Sequence, residues 1–221
     1  MPAPVAARDI VLIASVTIDG KDYSATFKMS ILEYARRVIA ADTSAEELTL
    51  MKDILAYIKA AYIYFDTEDR ASVATKIDEI LGGYSNTFAK VEDVSDAQAG
   101  LWGVIIVIND KPAVRFVLPE GVTAEGYTFK SYGRVLDFTT GTTVIDGVSY
   151  NYAEVSLYAY QMINEISYSC AAANGSWHIN SYYDFITTDA ELKDDVNLIA
   201  LVEKLYNYCK SAEAYRLSVI N

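Results

Sequence analysis

Residues 30–65, SILEYARRVIAADTSAEELTLMKDILAYIKAAYIYF, return near the C-terminus as residues 181–216, SYYDFITTDAELKDDVNLIALVEKLYNYCKSAEAYR, at a constant offset of 151 and without gaps. The offset pairs Ser30 with Ser181, Glu33 with Asp184, Tyr34 with Phe185, Leu50 with Leu201 and Ile54 with Leu205. It also pairs Tyr57 with Tyr208, Lys59 with Lys210, Ala61 with Ala212 and Tyr64 with Tyr215. A repeat of this length, with a different kind of sequence between its copies, points to modules strung in tandem rather than to one catalytic domain.

Each copy reads as helix, short turn, helix. Met51, Ile54, Leu55, Ile58, Ala61, Tyr62 and Phe65 recur at three- and four-residue steps, the period of an amphipathic helix. Thr43-Ser44 with Glu46 and Glu47 offers a capping box at its start, as Ser30 with Glu33 does for the preceding helix and Ser181 with Asp184 more weakly in the second copy. A second stripe, Leu50/Tyr57/Tyr64, is repeated as Leu201/Tyr208/Tyr215. Apolar groups on two faces require two neighbours, so the tyrosines are expected to pack between elements, each phenol finding water or a carbonyl, rather than to line a groove.

Elsewhere the period shortens. Ile10 to Ile18 and Tyr23 to Met29 flank Asp19-Gly20, the dipeptide suited to a type I′ turn, and predict a β-hairpin. Ala71 to Leu81 predicts a third helix ended by Gly82-Gly83. Tyr84 to Gly100 is the candidate linker. Beyond it, alternation and β-branched residues predict strands at Gly103–Asn109, Ala113–Leu118, Thr128–Tyr132, Val135–Thr139, Thr142–Ile145 and Tyr150–Leu157. Asn109-Asp110-Lys111-Pro112, Pro119-Glu120-Gly121, Gly133, Gly141 and Asp146-Gly147 punctuate them. Ala159 to Glu165 suggests one helical turn, and Ile166–Cys170 with Ser176–Ile179 a hairpin around Asn174-Gly175 that leads into Ser181. The expected class is α+β: an antiparallel β-sandwich-like body (residues 96–165) flanked by a hairpin with three helices (1–95) and a hairpin with two (166–221).

Charge excludes some partners. With 30 acidic against 18 basic residues the net charge is −12, which repels phosphate backbones and anionic membranes, so nucleic acid is not expected as a partner. Apolar runs such as Val104 to Ile108 are far short of the roughly 20 residues of a membrane helix. The N-terminal MPAPVAARDIVLIASV lacks the pattern of a secretory signal.

Signatures of chemistry are sparse. The sequence holds no P-loop, no G-x-G-x-x-G opening a helix, no G-x-S-x-G and no C-x-x-C. His178 is the single histidine, and strand alternation places it opposite Trp177 and Ile179, exposed; a Cys170/His178 dyad is the remote catalytic alternative. Cys170 and Cys209 are expected as free thiols, since Cys209 matches Ile58 at a core position. The acidic runs at Asp66, Glu68 and Asp69, and at Asp189, Glu191, Asp194 and Asp195, lack the spacing of a calcium loop and precede helices, whose N-termini favour negative charge. No catalytic residue, metal or cofactor is therefore assigned. The residue types suited to stacking on sugar rings leave Trp102, with Tyr127 and Tyr132, as candidate ligand-binding residues.

The Asp-Gly hairpin, the Ser-initiated helix, LAYIKAAYIYF and LYNYCKSAEAYR, KIDEILGGYS, KPAVRFVLPEG and VIDGVSYNYAEVSLYAY together resemble the tandem modules of large uncharacterised surface proteins of anaerobic gut-type bacteria. The resemblance implies a non-catalytic, extracellular or cell-surface structural or adhesion module. Its partners would be neighbouring modules of the same protein and a glycan or surface protein. A carbohydrate- or protein-binding module is the alternative.

Overall fold

The computed structural model describes residues 10–89, 99–108 and 112–220. It is an α+β chain whose sheets are all antiparallel. A hairpin, β1 (Ile10–Ile18) and β2 (Lys21–Met29), is followed by α1 (Ile31–Ala40), α2 (Ala45–Tyr64) and α3 (Arg70–Leu81). Six strands come next: β3 (Gly103–Ile108), β4 (Pro112–Val117), β5 (Thr128–Ser131), β6 (Arg134–Leu136), β7 (Thr139–Ile145) and β8 (Val148–Ser156). A 3₁₀ turn at Ala159–Gln161 leads to β9 (Ile166–Ser169), β10 (Asn174–Trp177), α4 (Ile179–Thr188) and α5 (Val196–Ile220).

The caps explain where the first helices start. Ser30 accepts from the Glu33 amide at 3.1 Å and Ser44 from the Glu47 amide at 3.1 Å, each satisfying one of the orphan N–H groups of a first turn. Thr43 donates instead to the Glu47 carboxylate. Gly82, at φ 57°, closes α3 in the left-handed region. α4 begins at Ile179 behind His178, so Ser181 falls inside the helix and not at its N-cap position. Asp195 caps α5, accepting from Asn197 and Leu198, while Asp189 accepts from the amides of Glu191 and Leu192 in the turn before it. These acids serve helix and turn starts.

α2 and α5 pack on each other through their tyrosines. Tyr57 and Tyr208 stack at 5.7 Å and 21°. Tyr64, at the end of α2, lies against the cluster of Leu198 and Val202 at the start of α5, so the helices cross antiparallel. One buried apolar cluster runs from Leu32 and Tyr62 through Phe116 and Phe129 to Trp177 and Cys209, so side chains from all three predicted segments share a core. Cys209 is fully buried and Cys170 partly so, and both are free thiols.

The strands form a two-stranded sheet, β1-β2, and two four-stranded sheets ordered β3-β4-β8-β7 and β10-β9-β5-β6. Phe116 on β4 contacts Phe129 of β5 at 4.7 Å, Tyr168 of β9 at 5.9 Å and Trp177 of β10 at 6.5 Å, so this one ring meets three strands of the other sheet. Burying a ring of this size contributes about 1.5–3 kcal/mol. β6 ends at Leu136 and β7 begins at Thr139, so the predicted strand Val135–Thr139 is divided between the two sheets. The β9-β10 turn is Cys170 to Ala173, closed by the Cys170 amide donating to the Ala173 carbonyl at 2.7 Å. Asn174-Gly175, expected as the turn, lies within β10. β9 pairs with β5, so this hairpin is part of the sheet that holds β5 and β6.

Tyr84 to Ala89, expected as linker, is anchored. Tyr84 and Asn86 bond to Asp53, and Phe88 packs on Tyr183 and Tyr206. Residues 90–98 of that stretch, and the predicted turn at 109–111, lie outside the described residues.

Candidate ligand-binding surface

Of the three candidate ligand residues, Trp102 is the exposed end of a row of otherwise half-buried aromatic rings. Its amide donates to the Val117 carbonyl at 2.8 Å, fixing it at the start of β3 beside β4. The indole is 48% exposed and lies 5.0 Å from the Tyr150 ring. Alternation along β8 carries Tyr150, Tyr152 and Glu154 on one face. Arg115 on β4 lies 4.5 Å over the Tyr152 ring and pairs with Glu154 at 2.6 Å. Gly141 pairs with Tyr152 across β7-β8, and a Cβ there would sit 2.4 Å from the tyrosine oxygen, so only glycine leaves room for this ring. The arrangement offers flat rings beside an Arg-Glu pair, the chemistry that stacks on a sugar and bonds its hydroxyls.

Tyr127 does not belong to this surface. It is 8% exposed, stacks on Phe129 at 6.2 Å and donates to the Gly100 carbonyl at 3.3 Å; burial pushes its phenol up to about 12. It is a core residue, which corrects the expectation from sequence. Tyr132 is exposed but committed elsewhere. At φ 50° beside Gly133 it makes the β5-β6 turn, and its hydroxyl donates to Glu213 of α5 at 2.8 Å and accepts from Asn164. Glu213 is held below the usual carboxylate range, first by its hydrogen bond from Arg216, whose guanidinium lies 5.0 Å over the Tyr160 ring. This cluster ties the β5-β6 turn to α5. Tyr150 and Tyr152, the partners that complete the Trp102 row, were visible in sequence as alternate residues of one strand, but their pairing with Trp102 depends on the β3-β4-β8 order.

His178 is not exposed as alternation suggested. It sits at the start of α4 with its side chain 16% exposed, 3.9 Å from Glu165, and burial lowers its pKa.

A second concavity, of about 290 Å³, lies among α2, α3 and α5 and was not anticipated. Its chemistry centres on Asp53, 1% exposed, which accepts from the Tyr84 hydroxyl at 3.0 Å and from the Asn86 amide at 3.2 and 3.0 Å. Burial, then the charge of Asp53, pushes Tyr84 up to about 12. Lys59 is paired with Asp78 at 2.6 Å, and Asn207 donates to the Asn86 carbonyl at 3.0 Å. With its oxygens engaged, Asp53 holds the 84–89 segment onto the helices.

No family model, curated protein or solved structure matches the chain.

Proposed function

We propose that the chain is a non-catalytic structural or adhesion module of a larger extracellular or cell-surface protein. In this reading the two four-stranded sheets form a sandwich-like body, and residues 30–65 and 181–216 are two copies of one helical-hairpin unit. The observation that carries it is the stack of Tyr57 on Tyr208: the central tyrosines of the two stripes are taken up between α2 and α5, where a binding groove would have kept them open. The surface assignment rests on the resemblance of the hairpin, helix and β motifs to surface modules. Protease shaving of intact source cells tests it. Peptides of this chain are expected among those released before lysis, and their release only after lysis would refute it.

Binding of a carbohydrate through Trp102, Tyr150 and Tyr152 is the second reading, favoured by the exposed, ring-flanked indole. A glycan array separates the two. Selective binding that Trp102→Ala abolishes would replace the purely structural reading, whereas an array without selective signal removes the second.

A further inference from the structure

Resting on the modular reading above, we propose that the apolar face of the β1-β2 hairpin is a docking surface for the β body of a neighbouring module, of the same kind as the β3 to β8 body and joined to this chain in tandem. Cross-strand pairing puts Ile10 with Met29, Leu12 with Phe27, Ala14 with Ala25 and Val16 with Tyr23 on one face. The other face carries Val11 and Ile13 near the open end and is otherwise polar, with Ser15, Thr17, Asp22, Ser24, Thr26 and Lys28. Such a ribbon is built to lie on something apolar, yet every residue of β1, and of β2 as far as Lys28, is exposed; Leu12 is 61% and Phe27 48% exposed. A two-stranded hairpin alone in water is at best marginally stable. An apolar patch of this kind rimmed by polar residues marks an interaction site.

The same chain contains a second hairpin whose face is covered. Reading outward from the helix starts, Met29-Ser30-Ile31 and Trp177-His178-Ile179 are equivalent: last strand residue, cap, first helical residue. Trp177 pairs with Ile166 as Met29 pairs with Ile10. In β9-β10 that face is buried on Phe116 of the opposite sheet, and β9 forms its outer hydrogen bonds with β5. β1 holds the place of β9, so its outer edge and its apolar face are what such a body would engage, by strand addition and face packing together.

Size favours a tandem neighbour over a second copy of this chain. Nine residues per strand span roughly 30 Å at about 3.3 Å each, and two strands are about 10 Å wide, a footprint on the order of 300 Å². Two hairpins packed face to face would bury on the order of 600 Å² in all, below the roughly 1,200 Å² of a stable interface between separate molecules. Covalent linkage supplies the effective concentration that such a small contact lacks. The β9-β10 hairpin already fills the equivalent place in any second copy.

The test is a longer polypeptide with residues 99–165 fused through a flexible linker ahead of the full chain, followed by amide hydrogen exchange. Relative to the chain alone, residues 10–29 are expected to exchange about a hundredfold more slowly, with α2 and α5 unchanged. Phe27→Asp in the fused protein should cancel that protection. Because Phe27 is exposed in the chain alone, the substitution leaves the rest folded. Equal exchange with and without the added body overturns the docking, including the case in which the added body fails to order. So does an unextended chain that sediments as a dimer broken by Leu12→Asp. Either failure leaves the cell-surface reading to the shaving experiment, so the two are told apart.

Discussion

The stack of Tyr57 on Tyr208 can be weighed by a double-mutant cycle with alanine at each position. Tyr57 is 8% exposed where α2 meets α5, and truncating a buried aromatic ring to alanine costs about 3–5 kcal/mol. Tyr208 is only partly buried, so its truncation should cost less, about 1–3 kcal/mol. The rings lie 5.7 Å apart and inclined at 21°, an arrangement whose coupling is worth about 0.5–1.5 kcal/mol beyond the area it buries. For a chain of this size each kcal/mol lowers Tm by about 2–4 °C, so Tyr57→Ala should melt about 6–20 °C lower. Urea unfolding followed by circular dichroism gives all four corners of the cycle. A lowered midpoint at constant slope is expected for each single variant, with the double variant less destabilised than the sum. The argument fails if the coupling falls within the additivity error of about 0.3–0.5 kcal/mol and Tyr57→Ala costs under about 1 kcal/mol. In that event the crossing is held by the flanking aliphatic side chains and the repeated tyrosines are incidental.

Two other predictions concern buried polar groups. Asp53→Ala removes the acceptor of the Tyr84 hydroxyl and the Asn86 amide, and should cost about 1–3 kcal/mol while opening the 84–89 segment to protease; unchanged digestion kinetics would contradict the anchoring role. Burial raises Tyr208 and Tyr84 from the ordinary 10 to about 12, so between these values the unfolded chain loses protons that the folded chain keeps. Their stabilising contribution is complete below pH 10 and lost as pH rises through 12. For Tyr208 it is on the order of 3 kcal/mol, and for the more exposed Tyr84 solvent screening leaves a fraction of that. The urea midpoint should therefore fall steeply between pH 10 and 12, with tyrosinate absorbance rising in the same window, and a flat midpoint there would refute the assignment.

Local signals proved reliable where local chemistry decides the outcome. Ser30, Ser44, Asp19-Gly20, Asp146-Gly147 and Gly82 act through their own backbone or the next turn, and each sits where its sequence context placed it. Errors collected where long-range pairing intervened. Asn174-Gly175 has turn composition, but pairing with Ser169 and Tyr168 draws it into a strand. Ser181 has the composition of a cap, but Trp177 and Ile179 are buried, and the helix starts a turn earlier behind them. Tyr127 and Tyr132 are both tyrosines near turns. Only topology shows that one packs on Phe129 and the other reaches Glu213 across 81 residues of sequence. Asp53 was hidden for the same reason: its partners lie 31 and 33 residues away, in what read as linker.

Ile10, Leu12, Ala14, Val16 and Ile18 fall on one face of a strand, with Val11 and Ile13 on the other, yet only the turn was informative in the sequence, because spacing states that a face is apolar and not what covers it. The second hairpin supplies the missing term. Its strands are four residues long, its inward residues are Ile166, Tyr168 and Trp177, and all three are buried by strands that precede them in the chain. β1 and β2 are nine residues each, so the first hairpin presents the longer apolar face while lying outside any such sheet. A face that large would be selected against in a unit meant to stand alone, since unpaired edges and exposed apolar strands invite aggregation. Its presence makes sense if each β body is completed by the hairpin that follows it. On that arrangement the natural mechanical unit is body, hairpin and helices in that order, and the boundary between modules falls after the helices.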